Sequence, residues 1–339
     1  VLQTNLVAPC KFVLETVEKP IPKKNEVLIQ VVQAGICGSD IHAYYGKHPF
    51  ISFPIVPGHE FVGIVLETGD GSSELLKKRV TVLPSLVCGS CYNCRTGRFN
   101  ICETLRVIGC QAPGAFAQYV VAPKEMIFLL PDTCSWDQGV LVEPLAVAVH
   151  AVRRVPHIAG QSVLVLGAGT IGLMVVATLK AYGAGEIIVT DFQAKRLQLA
   201  EELGADYVLN PREHNLGSWL DKNVARLAST FECVGVKETV DQAISYTYKG
   251  GNVVILGVFE ENVEVNMGLV QDKEINMLGS LMYTKEDYCE ALRIVGQIPA
   301  LTKLITHRFP LRDVQRGFET LAAEPDETLK VLVEIGEGK

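Results

Sequence analysis

No stretch of 18 or more apolar residues occurs in the sequence, and its first residues show no charged region leading into an apolar one. Neither a membrane-spanning helix nor a secretory signal is indicated. Positive charge is also short: 31 lysines and arginines stand against 38 acids, a formal net charge of −7. Proteins that grip nucleic-acid phosphates carry basic patches that displace counterions, so this balance argues against a nucleic-acid partner. Internal repeats, low-complexity tracts and long runs of one charge are missing too, which excludes a solenoid and a disordered arm. The expectation left is a folded cytoplasmic protein that acts on small molecules. Its 339 residues, 48% hydrophobic and 20% charged, exceed the size at which single cores usually divide, so two domains are expected.

Of the ten cysteines, four crowd into "CGSCYNCRTGRFNIC", residues 88 to 102, with the spacing C-x2-C-x2-C-x7-C. A reducing compartment keeps thiols free of disulfides. Thiolates two residues apart on a tight loop can then converge on one tetrahedral zinc, each at about 2.3 Å. A redox switch is the alternative use of such pairs. The scattered Cys10, Cys110, Cys134, Cys233 and Cys289 are expected to be small buried hydrophobes.

Between residues 25 and 130 the pattern is one of short β-like runs, "EVLIQVV", "IVLET", "RVTVL" and "FAQYVVAP", punctuated by Gly, Pro and Asp. This half reads as an irregular β-rich domain. "VEPLAVAVHAVRR" has helical spacing, and "QSVLVLGAGTIGLMVVATLKAYGAGEIIVTDF" then gives strand, glycine turn, apolar helix and strand in order. "DYVLN", "TFECVG", "KETVDQAISYTY", "GNVVILG" and "INMLGSL" supply enough further elements for a six-stranded, doubly wound parallel sheet of the Rossmann type. From "KEDYCEALRIV" to "KVLVEI" helices and one closing strand are expected to return to the first domain. The expected boundaries are 1–147, 148–284 and 285–339.

Within "VLGAGTIG", Gly167, Gly169 and Gly172 form G-x-G-x-x-G between a strand and a helix that opens at Thr170 and Ile171. The first glycine permits a tight turn, the second lets backbone approach a pyrophosphate, and the third permits close helix–strand packing. The phosphates would meet the helix N-terminus, where free N–H groups and the dipole favour anions. Asp191, 19 residues past Gly172, ends the second strand, placed to bond both ribose hydroxyls and repel a 2′-phosphate. NAD is therefore expected over NADP, although Lys195 and Arg196 could receive a phosphate.

"AGICGSDIH" and "VPGHEFVG" carry Cys37, His59 and Glu60 on turn-like segments, and "VEPLAVAVH" adds Glu143. These side chains suit one zinc. Spacing alone equally allows a buried thiol and a core histidine.

The ordered set "GICGSD", "PGHEFVG", the four-cysteine loop, "VEPLAVAVH" and "VLGAGTIGL" resembles the zinc-containing medium-chain dehydrogenases over nearly the whole chain. Glu143 in "VEP" points to the sorbitol dehydrogenase-like branch, and "GICGSDIHAYYGKHPFISFPIVPGHE" with "HAVRR" looks most like bacterial dehydrogenases of hexonates such as L-galactonate or L-gulonate. The resemblance implies a GroES-like catalytic domain, a Rossmann domain, two zinc ions per chain, NAD, and a homodimer or homotetramer. It implies a catalytic zinc on Cys37 and His59, with Glu60 or Glu143 as the acid ligand, and a structural zinc on Cys88, Cys91, Cys94 and Cys102. Asp40 would orient the histidine. Ser39 and His42 would relay the alcohol's proton. Phe116 would border the substrate pocket, although a core phenylalanine is an equal reading. In "AYYGKHPF", which follows Cys37, Lys47 and His48 could meet a substrate carboxylate or be a solvated loop pair. The implied reaction is oxidation of a secondary alcohol with hydride passing to NAD+. The alternatives are a sorbitol-like polyol dehydrogenase, a zinc-free enone or quinone reductase, and an NAD-binding sensor without turnover.

Overall fold

The computed structural model describes residues 1–336 apart from 70, 72 and 73. These residues fold into two units, Val1–Glu143 together with Thr284–Lys339, and Pro144–Tyr283. The first change of unit falls inside the helix Val142–Arg153, four residues before the expected boundary.

The first unit is organised by the eleven-residue strand Glu26–Ile36, whose Val27, Leu28, Ile29 and Val31 are fully buried. A strand covered on both faces reads as a nearly continuous apolar run, and "EVLIQVVQAGI" is such a run. It pairs antiparallel with Glu60–Thr68, Tyr119–Pro123 and Lys330–Glu334 at the centre of a seven-stranded sheet. Arg79–Val82, Ile127–Leu129 and Ile305–Pro310 complete that sheet. Phe61, Phe116, Phe318, Val65, Val80, Val331 and Val333 pack in its core.

The C-terminal segment departs from the expected single closing strand. Two strands, Ile305–Pro310 and Lys330–Glu334, run parallel and are joined through the helix Val314–Ala323. "ITHRFP" alternates half-buried and exposed residues and stands at the sheet edge, where it turns only one face inward and so lacks the apolar run that marks a central strand. Two of the scattered cysteines also depart from expectation: Cys10 and Cys289 are exposed. Cys10 occupies the turn between Leu2–Ala8 and Lys11–Thr16 at φ 58°, and Cys289 lies on the helix Lys285–Val295, whose buried residues are others.

The second unit holds a six-stranded parallel sheet in the order Tyr207–Leu209, Ile187–Thr190, Ser162–Leu166, Leu227–Glu232, Asn252–Ile255, Asn276–Gly279. The chain builds outward from Ser162–Leu166 in one direction and then in the other, so the order reverses beside the glycine turn. The helix Thr170–Ala181 buries eight residues from Gly172 to Leu179, which explains its nearly all-apolar sequence.

Candidate active site and metal centres

Three adjacent strands deliver the first site. Glu26–Ile36 ends at Cys37, Glu60–Thr68 begins straight after His59, and Lys330 opens Lys330–Glu334. The antiparallel register sets Gly35 opposite Glu60 and also opposite Leu332. One ligand atom from each of Cys37, His59 and Glu60 thereby lies within 4.8 Å of the others. A Cβ at Gly35 would stand 2.1 Å from Glu60 Oε2, so the missing side chain is what leaves room for the carboxylate.

The surroundings fix each group. Cys37 N–H donates to Asp40 Oδ2 at 3.0 Å, turning the chain into the helix Gly38–Tyr44. Asp40 is 1% exposed, and its Oδ1 makes no hydrogen bond although His59 Nδ1 is only 3.5 Å away. Nδ1 thus faces the acid, and Nε2 remains for a metal. Cys110 Sγ stands 4.0 Å from the same Nδ1, a neighbour that spacing gave no reason to expect. Burial disfavours a charged His59, yet Asp40 outweighs it, with smaller help from Cys110 and Cys37, and the ring's pKa is raised well above 6.5. A thiol, an imidazole braced by an acid, and a carboxylate, all gathered and mostly buried, fit a borderline cation such as zinc.

Lys330 is the residue that sequence reasoning missed. It is 3% exposed, and its Nζ donates to both Glu60 oxygens at 2.7 Å and to the Ile36 carbonyl at 3.2 Å. Burial works against the ammonium, but Glu60 and then Cys37 outweigh it and raise the pKa above 10.5. A lysine inside the buried run "KVLV" was the available signal, since a charge taken out of water must be paired. Glu143 is buried too, and its charge is felt at Lys330 and Tyr288, but it lies outside the group gathered within 4.8 Å.

Ser39 and His42 are half-buried on the helix Gly38–Tyr44. Lys47 is exposed beyond it, and its N–H donates to the His42 carbonyl at 2.8 Å. Burial, followed by repulsion from His42, lowers the pKa of His48. Phe116 is fully buried, edge-on to Phe318 at 6.0 Å, and in reach of any side chain added at Gly58. Its place is in the packed core rather than on an open wall.

Cys88, Cys91, Cys94 and Cys102 form the second gathered group. Their sulfurs are separated by 3.6 Å for Cys88–Cys102, 3.9 Å for Cys88–Cys94 and 4.0 Å for Cys91–Cys102. Four sulfurs at about 2.3 Å from a tetrahedral zinc lie about 3.8 Å apart, whereas a disulfide needs about 2.05 Å. Backbone N–H groups of Ser90 and Cys91 point at Cys88 Sγ and lower its pKa to about 5, so the loop favours thiolate there.

In the second unit each glycine of the turn answers a separate need. Gly167 has φ 93°, a conformation that side chains resist. A Cβ at Gly172 would meet the Gly167 carbonyl oxygen at 1.9 Å. A Cβ at Gly169 would meet nothing within 4 Å, so that open face before Thr170 and Ile171 fits a bound phosphate. Asp191 Oδ2 accepts from Ala168 N–H at 2.8 Å and Arg196 Nη1 is 3.8 Å from the same oxygen. Glu232, also unforeseen, is fully buried and accepts from Val234 N–H, Gly235 N–H and Thr239 Oγ1, which shapes the loop beside Gly167.

Residues 23–132 match the family described as alcohol dehydrogenase GroES-like domain, and residues 170–297 match zinc-binding dehydrogenase. The sorbitol dehydrogenase of Bacillus subtilis is 32% identical over 94% of this chain and 93% of its own. The L-galactonate-5-dehydrogenase of Escherichia coli is 33% identical over 96% of each chain. Two solved structures cover 98% of this chain and 98% of their own. One is an Escherichia coli alcohol dehydrogenase complexed with NADH, at 29% identity and TM-score 0.92. The other is a Sinorhizobium meliloti zinc-binding dehydrogenase bound to NADP, at 32% and 0.90. The chain belongs to the zinc-type medium-chain alcohol dehydrogenase family. It is an NAD(P)-dependent oxidoreductase of the zinc type.

Proposed function

We propose that this chain oxidises a secondary alcohol of a sugar acid, a hexonate such as L-gulonate or L-galactonate, with NAD+ as the preferred acceptor. The observation that carries the dehydrogenase part is the gathering of Cys37, His59 and Glu60 beside the helix that bears Ser39 and His42. A zinc ion held by Cys37 and His59 with Glu60 or Glu143 supplies a Lewis acid for the alcohol oxygen, and NAD+ supplies the hydride acceptor. Ser39 would take the alcohol proton as it hands its own hydroxyl proton to His42, which would release it outward. Asp40 stands beside His59 Nδ1, which would leave Nε2 as the nitrogen that binds zinc. Glu60 is held by Lys330 through both oxygens. A sensor without turnover would have no need of this donor set or of the buried lysine behind it.

The choice of a sugar acid rests on Lys47 and His48, which follow the helix of Ser39 and His42, and on the likeness to the L-galactonate-5-dehydrogenase. A carboxylate bonded by the Lys47 ammonium would gain a charge-assisted hydrogen bond that a neutral polyol cannot. Purified, zinc-loaded protein screened with NAD+ against hexonates and polyols should oxidise the acids best. Lys47→Ala should raise KM for the acids by about tenfold, at about 1.4 kcal/mol for a charged hydrogen bond, and leave polyols nearly unchanged. Sorbitol outperforming every hexonate would instead select the polyol alternative.

Gly35→Ala is a sharper probe of the donor set. Its methyl must displace the Glu60 carboxylate, so kcat/KM should fall by about 10- to 100-fold, the range for lost support around a metal. Kinetics compared with melting temperature would separate this from general damage.

A further inference from the structure

The ribose end of the dinucleotide cradle carries more positive charge than its acid alone suggests. Asp191 already spends part of its accepting capacity on the protein: Oδ2 takes Ala168 N–H at 2.8 Å and Oδ1 takes Gln193 N–H at 2.9 Å. A carboxylate has about four lone-pair positions, so about two remain for ribose hydroxyls. Arg196 Nη1, 3.8 Å from Oδ2, offsets the charge that would repel a phosphate.

A second arginine comes from the next strand. Asp191 N–H bonds to the Leu209 carbonyl at 3.3 Å, which draws the end of Tyr207–Leu209 and the turn after it alongside Asp191. That turn is fixed from within, because Asn210 Oδ1 accepts from Arg212 N–H at 3.0 Å while Asn210 Nδ2 donates to Glu213 at 2.9 Å. It presents Arg212 with its guanidinium carbon 4.4 Å from the ring centre of Phe192, the residue directly after Asp191. Phe192 is 52% exposed, and Arg212 is exposed with no carboxylate paired to it among the described residues. Stacking on an aromatic face holds a guanidinium in place without using its N–H donors, whereas an ion pair would use them.

We propose that Arg212 is a second determinant of cofactor choice: it receives the 2′-phosphate of NADP(H), so that the chain accepts NADP(H) alongside NAD(H). The assignment rests on the reading of the glycine turn as a dinucleotide site. Asp191 favours the free ribose, and Arg212 limits the margin by which it does so. Arg196 is partly neutralised by Asp191; Arg212 keeps its full charge for the ligand.

The test is isothermal titration of the full chain with NAD+, NADP+ and 2′,5′-ADP, which carries the 2′-phosphate without a nicotinamide. The wild type should bind both dinucleotides with Kd values within about tenfold of each other. Arg212→Ala should weaken NADP+ and 2′,5′-ADP by about tenfold or more and NAD+ by less than about twofold, as expected for losing a charged hydrogen bond. Arg212→Lys should recover part of the loss. Equal weakening of both dinucleotides would make Arg212 a packing residue and overturn the assignment. So would a wild type that binds NAD+ and ignores 2′,5′-ADP. Failure to bind NAD+ as well would remove the dinucleotide reading beneath it.

Discussion

Changing His59 to alanine should abolish turnover while leaving the fold in place, and changing Cys91 to serine should chiefly damage the fold. His59 contributes one buried nitrogen to the group with Cys37 and Glu60, in a sheet whose strands pair without its help. Its loss withdraws several kcal/mol of transition-state stabilisation, a fall of about a thousandfold or more in kcat/KM. Cys91 lies in a loop with few apolar residues of its own; its thiol accepts from Cys94 N–H at 3.5 Å and stands 4.0 Å from Cys102. Where a closed four-sulfur site carries folding energy, losing one ligand should lower the melting temperature by roughly 10 °C, at about 2–4 °C per kcal/mol. Metal analysis should find about two zinc ions per wild-type chain and about one in each variant. Normal turnover in His59→Ala would sink the zinc chemistry.

How far each site can be read from sequence follows from how local its causes are. The glycine turn is legible because Gly167, Gly169 and Gly172 each satisfy a demand set within a few residues, a positive φ, an open face and a carbonyl 1.9 Å away. The four-cysteine loop is legible for the same reason. Cys37 and His59, 22 residues apart, carry no such signal; their meeting depends on a strand register that puts Gly35 across from Glu60, and only the family resemblance foretold it. The pairing of Lys330 with Glu60 and the approach of Cys110 to His59 are not legible locally, because both depend on residues far apart in the chain. For Phe116 the resemblance offers a pocket border and its residue type offers a core position, and its ring is buried and packed against Phe318. The exposed edge strand Ile305–Pro310 was overlooked since a strand with one covered face gives a weaker pattern than a central one.

The second large effect should come from Lys330. In Lys330→Met the aliphatic stem is kept and the ammonium is lost, which leaves the Glu60 carboxylate fully buried without its cation. Breaking one side of a buried pair costs about 3–5 kcal/mol, because the remaining charge keeps its desolvation penalty and loses its compensation. The free energy of urea unfolding should drop by that amount. Adding Glu60→Gln to Lys330→Met should restore a good part of it, since the uncompensated charge is then gone and the amide can still accept and donate. The pH dependence has a definite sign. A lysine whose folded pKa is raised above 10.5 contributes its stability in full below that value and loses it only as pH climbs through the higher folded pKa. The gap between wild type and Lys330→Met should therefore stay level from about pH 7 to pH 9 and narrow only in stronger base. A single variant within about 0.5 kcal/mol of the wild type would show that the pair is not the anchor of Glu60, and the acid nearest the metal would have to be sought at Glu143 instead.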